Sequence, residues 1–157
     1  TVLFLNSTLH AASSSSGGDN GNSPKKLTSY DKATKKIRKA KKLEKKGKIE
    51  KAKKYYEESL KFLFRANKEN SVDPDTLNYL GFVNRKLGNL EDAEIYYLLG
   101  LEQDPKHSGI NEYLGELYII TKRVDKAKER LEVLKSCNCE EYDELKGIID
   151  GTKKSKY

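Results

Sequence analysis

Tyr79-Leu80-Gly81-Phe82-Val83 and Tyr113-Leu114-Gly115-Glu116-Leu117 stand 34 residues apart. At the same spacing Leu90 is matched by Val124 and Ala93 by Ala127. A fixed period in this range marks stacked helix–turn–helix units. No such unit can bury its apolar face alone, so neighbours stack into a curved solenoid with an extended concave surface. The period therefore bears on binding as well as on fold.

A third copy lies upstream. Gly47 to Tyr56 (Gly-Lys-Ile-Glu-Lys-Ala-Lys-Lys-Tyr-Tyr) matches Gly88 to Tyr97 (Gly-Asn-Leu-Glu-Asp-Ala-Glu-Ile-Tyr-Tyr) at an offset of 41, seven more than the period. Seven residues are about two helical turns. The second helix of the first unit is therefore expected to run two turns longer than its counterparts, its apolar face continued by Phe62, Leu63, Phe64 and Ala66. Gly81 and Gly115 fall in mid-helix, where glycine costs about 1 kcal/mol relative to alanine. Their recurrence implies close approach of a neighbouring helix, as do Ala93 and Ala127 on the partner helices. Gly47 and Gly88 follow apolar runs and suit left-handed helix ends. Asp73-Pro74 and Asp104-Pro105 break helices, because the residue before proline is pushed out of the helical region.

These residues resemble the tetratricopeptide repeat (TPR) family. Its pattern is Leu-Gly and an aromatic on the first helix, a turn glycine, alanine and an aromatic on the second, and a closing proline. Leu77, Leu80-Gly81, Gly88, Ala93, Tyr97, Gly100 and Pro105 carry it in the middle unit. Leu114-Gly115, Tyr118, Ala127, Leu131 and Leu134 carry it in the next. The chain departs from the pattern at Lys122, which replaces the turn glycine, at Cys139, which replaces the proline, and at Ala40, which holds the Gly81 position. It also has no Trp.

The resemblance implies an all-α, right-handed α-solenoid of about three helix hairpins plus a C-terminal capping helix. The repeat domain would span 27–150, with units at about 33–73, 74–107 and 108–139 and the cap helix at 140–150. It implies a non-catalytic protein–protein interaction scaffold without cofactor or metal. The first helix of each unit lines the family's concave groove. The corresponding residues here are Lys41 and Glu44 in the first unit, Asn78, Phe82, Arg85 and Lys86 in the second, and Glu112, Glu116 and Ile119 in the third. Some members clamp a peptide carboxylate with Lys and Asn. Here Gly109 and Tyr113 stand where the last unit would carry its basic residues. Arg85 and Lys86 beside Glu112 and Glu116 suit an extended or helical peptide of mixed charge, and all four are expected to be exposed.

Charge is segregated. Residues 25–54 hold 15 Lys or Arg against three acids, whereas 55–150 hold 13 basic and 20 acidic residues. A basic arm on an acidic body points to a polyanionic partner or to association between unlike halves. Tyr30, Ala33, Ile37, Ala40 and Leu43 form an apolar stripe on the basic helix. That helix either packs its stripe on the next one or contacts anionic lipid or lipopolysaccharide. Nucleic acid is disfavoured, because no aromatic lies between Asp31 and Lys54 to stack on bases.

The start differs from the rest. Val2-Leu3-Phe4-Leu5 followed by Ala11-Ala12-Ser13 reads as the remnant of a secretory signal peptide over 1–12. A Ser/Gly-rich linker follows over 13–26, and 151–157 form a basic tail. The location expected from this is the bacterial cell envelope, periplasmic or secreted. Cys137-Asn138-Cys139 would then oxidise to a local disulfide, and a small thiol or copper carrier is the alternative use of the pair. His107, after Pro105, reads as a surface or capping residue. With one other His and no phosphate loop, acid–base or nucleophilic chemistry has little to build on.

Overall fold

The computed structural model describes residues 26–155. The expected signal remnant and most of the linker lie outside them. Seven helices follow in order: α1 (Ser29–Glu44), α2 (Ile49–Glu69), α3 (Pro74–Leu87), α4 (Leu90–Gln103), α5 (Ser108–Ile120), α6 (Val124–Leu134) and α7 (Glu140–Ile149). They pair as hairpins α1–α2, α3–α4 and α5–α6, and α7 packs on both α5 and α6 as the cap. No strand occurs among the described residues. None of the described helices is long and apolar enough to cross a membrane.

Local chemistry sets the helix ends. Thr28 and Asp31 form a capping box at α1, with Asp31 N donating to Thr28 Oγ1 at 3.0 Å and Thr28 N to Asp31 Oδ2 at 2.9 Å. This places the start of α1 four residues before the expected unit boundary. Asp73 caps α3 by accepting from Thr76 N at 3.0 Å, with Pro74 in the first turn. His107 caps α5, its Nδ1 accepting from Ile110 N at 3.2 Å. Gly88 takes the left-handed conformation at φ 86° after α3, and Lys122 takes it at φ 62° after α5. The turn survives the loss of its glycine, at the steric cost that a Cβ pays there.

α2 has 21 residues against 14 in α4, the two-turn difference that the offset implies. Its Leu63 and Ala66 are buried, but Phe64 points to solvent, so the apolar face narrows where the extension outruns its neighbour. Ala33, Ile37 and Ala40 of α1 are buried against α2.

The stack is held by close approaches. A Cβ on Gly81 would lie 2.4 Å from Cε1 of Tyr97 on α4, and one on Gly115 would lie 2.5 Å from Cδ2 of Leu145 on α7. The second repeat glycine thus receives the cap rather than its own hairpin partner. Arg123 ties α6 to α4 through a two-pronged pair with Glu94 at 2.7 and 2.8 Å. That bond is the main reason the Glu94 carboxyl sits below its usual range. Cys137 and Cys139 are disulfide-bonded, and Cys139 is the residue that opens α7.

Candidate functional site

A cleft of about 350 Å³ opens across the first helices of the hairpins. Its lining is Lys41 and Glu44 of α1, Lys45 at the C-cap of that helix, Phe82 and Lys86 of α3, and Tyr113 and Glu116 of α5. The repeat explains the convergence. Residues one period apart occupy the same place on successive first helices, so one face of each helix meets the same concave side.

The floor is aromatic. Tyr56, Phe82 and Tyr113 form a file with ring centroids 6.0 and 5.3 Å apart, and Tyr97 continues it at 6.5 Å from Tyr113. Lys41 Nζ lies 4.4 Å from the Phe82 centroid, a cation over a ring face. Lys86 Nζ pairs with Glu44 Oε1 at 2.7 Å, and the Tyr56 hydroxyl donates to Glu44 Oε2 at 3.1 Å. Burial first, and Glu44 second, push the Tyr56 phenol up, which keeps it a neutral donor. Burial and then Glu112 do the same for Tyr113, against the opposing pull of Arg85.

Beneath Tyr113 lies an ion pair. Arg85 Nη1 is 3.5 Å from Glu116 Oε2, with side chains 0% and 1% exposed. The same nitrogen donates to the Tyr113 carbonyl at 2.8 Å, and the guanidinium lies 5.1 Å from the Tyr113 ring centroid. Beyond Tyr113 the surface turns acidic, with Glu112, Glu140, Glu141 and Glu144 around a second recess. Asn78 and Glu112 border a third, with His107 and Gly109.

Of the nine residues expected to form the groove, five line the main cleft: Lys41, Glu44, Phe82, Lys86 and Glu116. Asn78 and Glu112 do not line it and border the third recess instead. Three expectations are corrected. Arg85 is not an exposed contact but a buried strut, and the Lys86 side chain, held by Glu44, is only 6% exposed. Glu112 and Glu116 are buried rather than exposed, because α3 and α7 close over their face of α5. Ile119 packs against the second core cluster instead of facing the cleft. Tyr113 and Lys45 went unmatched in the sequence. The signal for Tyr113 was present, since the aromatic before each Leu-Gly recurs as Tyr79 and Tyr113.

Among the described residues no group of three or more His, Cys, Asp or Glu is placed to hold a metal ion. In the disulfide form neither Cys137 nor Cys139 offers a thiolate, so copper carriage would first require reduction.

The geometry agrees with the comparisons. Residues 36–62 and 75–107 match the family model described as tetratricopeptide repeat. A 61-residue stretch is 36% identical to a TPR repeat-containing protein of Pseudomonas aeruginosa, covering 39% of this chain. The match spans about a tenth of that relative's length, 10%. Among solved structures, the first TPR of Spaghetti bound to an HSP90 peptide is similar at a TM-score of 0.50 and 20% identity, over 77% of this chain and 93% of that one. The Yersinia enterocolitica type III secretion chaperone SycD, in complex with a peptide of the translocator YopD, is similar at 0.50 and 19%, over 77% and 88%. These structures share the fold. The repeated Leu-Gly and Ala positions, the hairpins they build and the family match together show tetratricopeptide repeats at residues 36–62 and 75–107 of this chain.

Proposed function

We propose that this protein is a non-catalytic interaction module that takes a peptide segment of a partner protein in the cleft between α1, α3 and α5. The observation that carries the reading is the cleft's composition. Phe82 and Tyr113 give an apolar floor, Lys41, Lys45 and Lys86 bring cations to the lining, and Glu44 and Glu116 bring carboxylates. A receptor for a folded surface needs a broad patch, whereas a narrow aromatic cleft walled by both charges suits an extended chain. The two similar solved structures each hold a peptide, which supports the reading by analogy of fold. The bond between Cys137 and Cys139 favours an oxidising compartment, and with it the exported location read from residues 1–12.

A random-peptide library displayed on phage tests this. The wild-type chain should enrich a sequence class, and Lys41→Glu and Tyr113→Ala should each lose it with the far-UV spectrum unchanged. Enrichment that survives both changes would place binding elsewhere.

One observation favours a second reading. Ile49 is 55% exposed at the α1–α2 turn, among Lys46, Lys48 and Lys51. An apolar residue ringed by cations suits an anionic lipid surface. Salt-sensitive sedimentation with vesicles containing phosphatidylglycerol, lost in Ile49→Asp, would favour it over the peptide groove.

A further inference from the structure

The segment after α7 turns back onto the site. Gly151, at φ 72°, reverses the chain. The amides of Thr152 and Lys153 both donate to the Gly147 carbonyl at 2.9 Å, and the Lys153 stem covers Gly147, where a Cβ would meet its Cδ at 2.8 Å. Lys153 Nζ then reaches Glu144 Oε1 at 2.9 Å, on the rim of the acidic recess. Two residues further on, the Ser155 hydroxyl donates to Glu116 Oε2 at 3.2 Å. Glu116 is a lining residue of the main cleft, so this stretch joins the acidic recess to the cleft across their shared border at Tyr113.

A helix end needs only its carbonyls satisfied, and Thr152 and Lys153 achieve that through Gly147. The contacts of Lys153 with Glu144 and of Ser155 with Glu116 go further than capping. They set a lysine-bearing segment against two carboxylates, Glu144 of the acidic recess and Glu116 of the main cleft. Residues 152–157 read Thr-Lys-Lys-Ser-Lys-Tyr, three cations with no acid.

We infer that residues 152–155 are a built-in competitor for the groove, and that the acidic end selects partner segments rich in lysine with a small hydroxyl residue placed to meet Glu116. This rests on the peptide-groove reading above. The segment shows the ligand class in place: the Lys153 cation on Glu144 and the Ser155 hydroxyl on Glu116. A tethered segment on a short linker acts at an effective concentration of about a millimolar. Against a free peptide of the same sequence binding at about 100 µM, that occupancy weakens apparent affinity about tenfold.

The test uses the full chain with Lys153→Glu, Lys154→Glu and Ser155→Asp together. The probe is a fluorescein-labelled peptide of the sequence of residues 152–157, followed by anisotropy. The substituted chain should bind it about tenfold more tightly than wild type, and Ser155→Ala alone should give a smaller gain. In amide spectra, the Tyr113 and Glu116 resonances should move in the substituted chain and return toward wild-type positions as probe is added. Equal affinities, or no binding to either chain, would overturn the inference. The peptide library separates this from failure of the groove itself. Capture that depends on Tyr113 but is indifferent to the tail substitutions keeps the groove and removes the competitor. No capture by either chain removes both.

Discussion

Arg85 and Glu116 decide how the groove can be probed. Their side chains are 0% and 1% exposed. Removing one member of such a pair strands the other, which costs about 3–5 kcal/mol, whereas replacing both with apolar residues of similar volume is often neutral or better. Arg85→Ala should therefore lower the urea-unfolding free energy by about 3 kcal/mol or more, and Arg85→Met with Glu116→Leu should recover most of it. Additive losses in that cycle would show the two side chains to be energetically independent. Charge reversal at Arg85 is thus no probe of binding, contrary to what helical spacing alone suggests. The spacing places Arg85 on the groove-facing side correctly. What it omits is that α5 packs so close that Tyr113 lies over the guanidinium, a tertiary distance that no single helix encodes. Lys122 is a second residue under constraint, at φ 62°. A left-handed residue with a Cβ costs about 1–2 kcal/mol, and glycine returns part of the gain through the unfolded chain. Lys122→Gly should raise stability by about 0.5–1 kcal/mol in thermal or urea melts, with no change in peptide capture.

At the scale of elements, the hairpins are held by small residues facing large ones. Gly81 lies against the Tyr97 ring, which is fully buried. Alanine would gain up to about 1 kcal/mol of helix propensity but drive a Cβ into the ring, and overpacking costs about 1–3 kcal/mol. The second effect wins, so Gly81→Ala should lower the melting midpoint. A rise would mean that Tyr97 has room to move. The repeated Leu-Gly and Ala positions made this packing legible in sequence, along with the hairpins, the longer α2 and the cap. The partner of Gly115 was not legible, because Leu145 lies outside the repeat and only the docking of α7 brings it there. Between α4 and α6 the Glu94–Arg123 pair adds a pH-dependent tie. The folded carboxyl lies below its ordinary range through its bond to Arg123. Its stabilisation is therefore complete above the unfolded pKa, about 4.3, and is lost as pH falls through the folded value. Glu94→Gln should cost about 1 kcal/mol at pH 7 and flatten the decline below pH 4.5. A parallel decline in both proteins would assign acid sensitivity to other carboxylates.

The whole molecule is a short stack, and its stability should vary along it. In a solenoid each unit is stabilised by its own packing and by its immediate neighbours. Hairpin α3–α4 has a neighbour on each side, and α5 is covered by α4, α6 and α7. Hairpin α1–α2 meets the rest mainly through α2 against α3, supplemented by the Lys86–Glu44 pair and the Tyr30–Tyr79 contact at 5.8 Å. It is also where 15 of the cations crowd, between residues 25 and 54, and their mutual repulsion favours opening. Amides of this hairpin should therefore open by sub-global unfolding at lower free energy than those of α3 and α5, which exchange only on global unfolding. Native-state hydrogen exchange at increasing urea should show α1 amides leaving the global isotherm first. Because α1 and its C-cap supply Lys41, Glu44 and Lys45 to the cleft, a peptide bound there must draw α1 toward α3 and α5. A saturating groove peptide should slow exchange in α1 by the binding factor, one plus the ratio of free peptide to its Kd, while openings that leave the cleft intact keep their rates. Protection spread evenly over all seven helices would mean that the stack unfolds as one unit. The groove would then report on global stability rather than on the docking of its first hairpin.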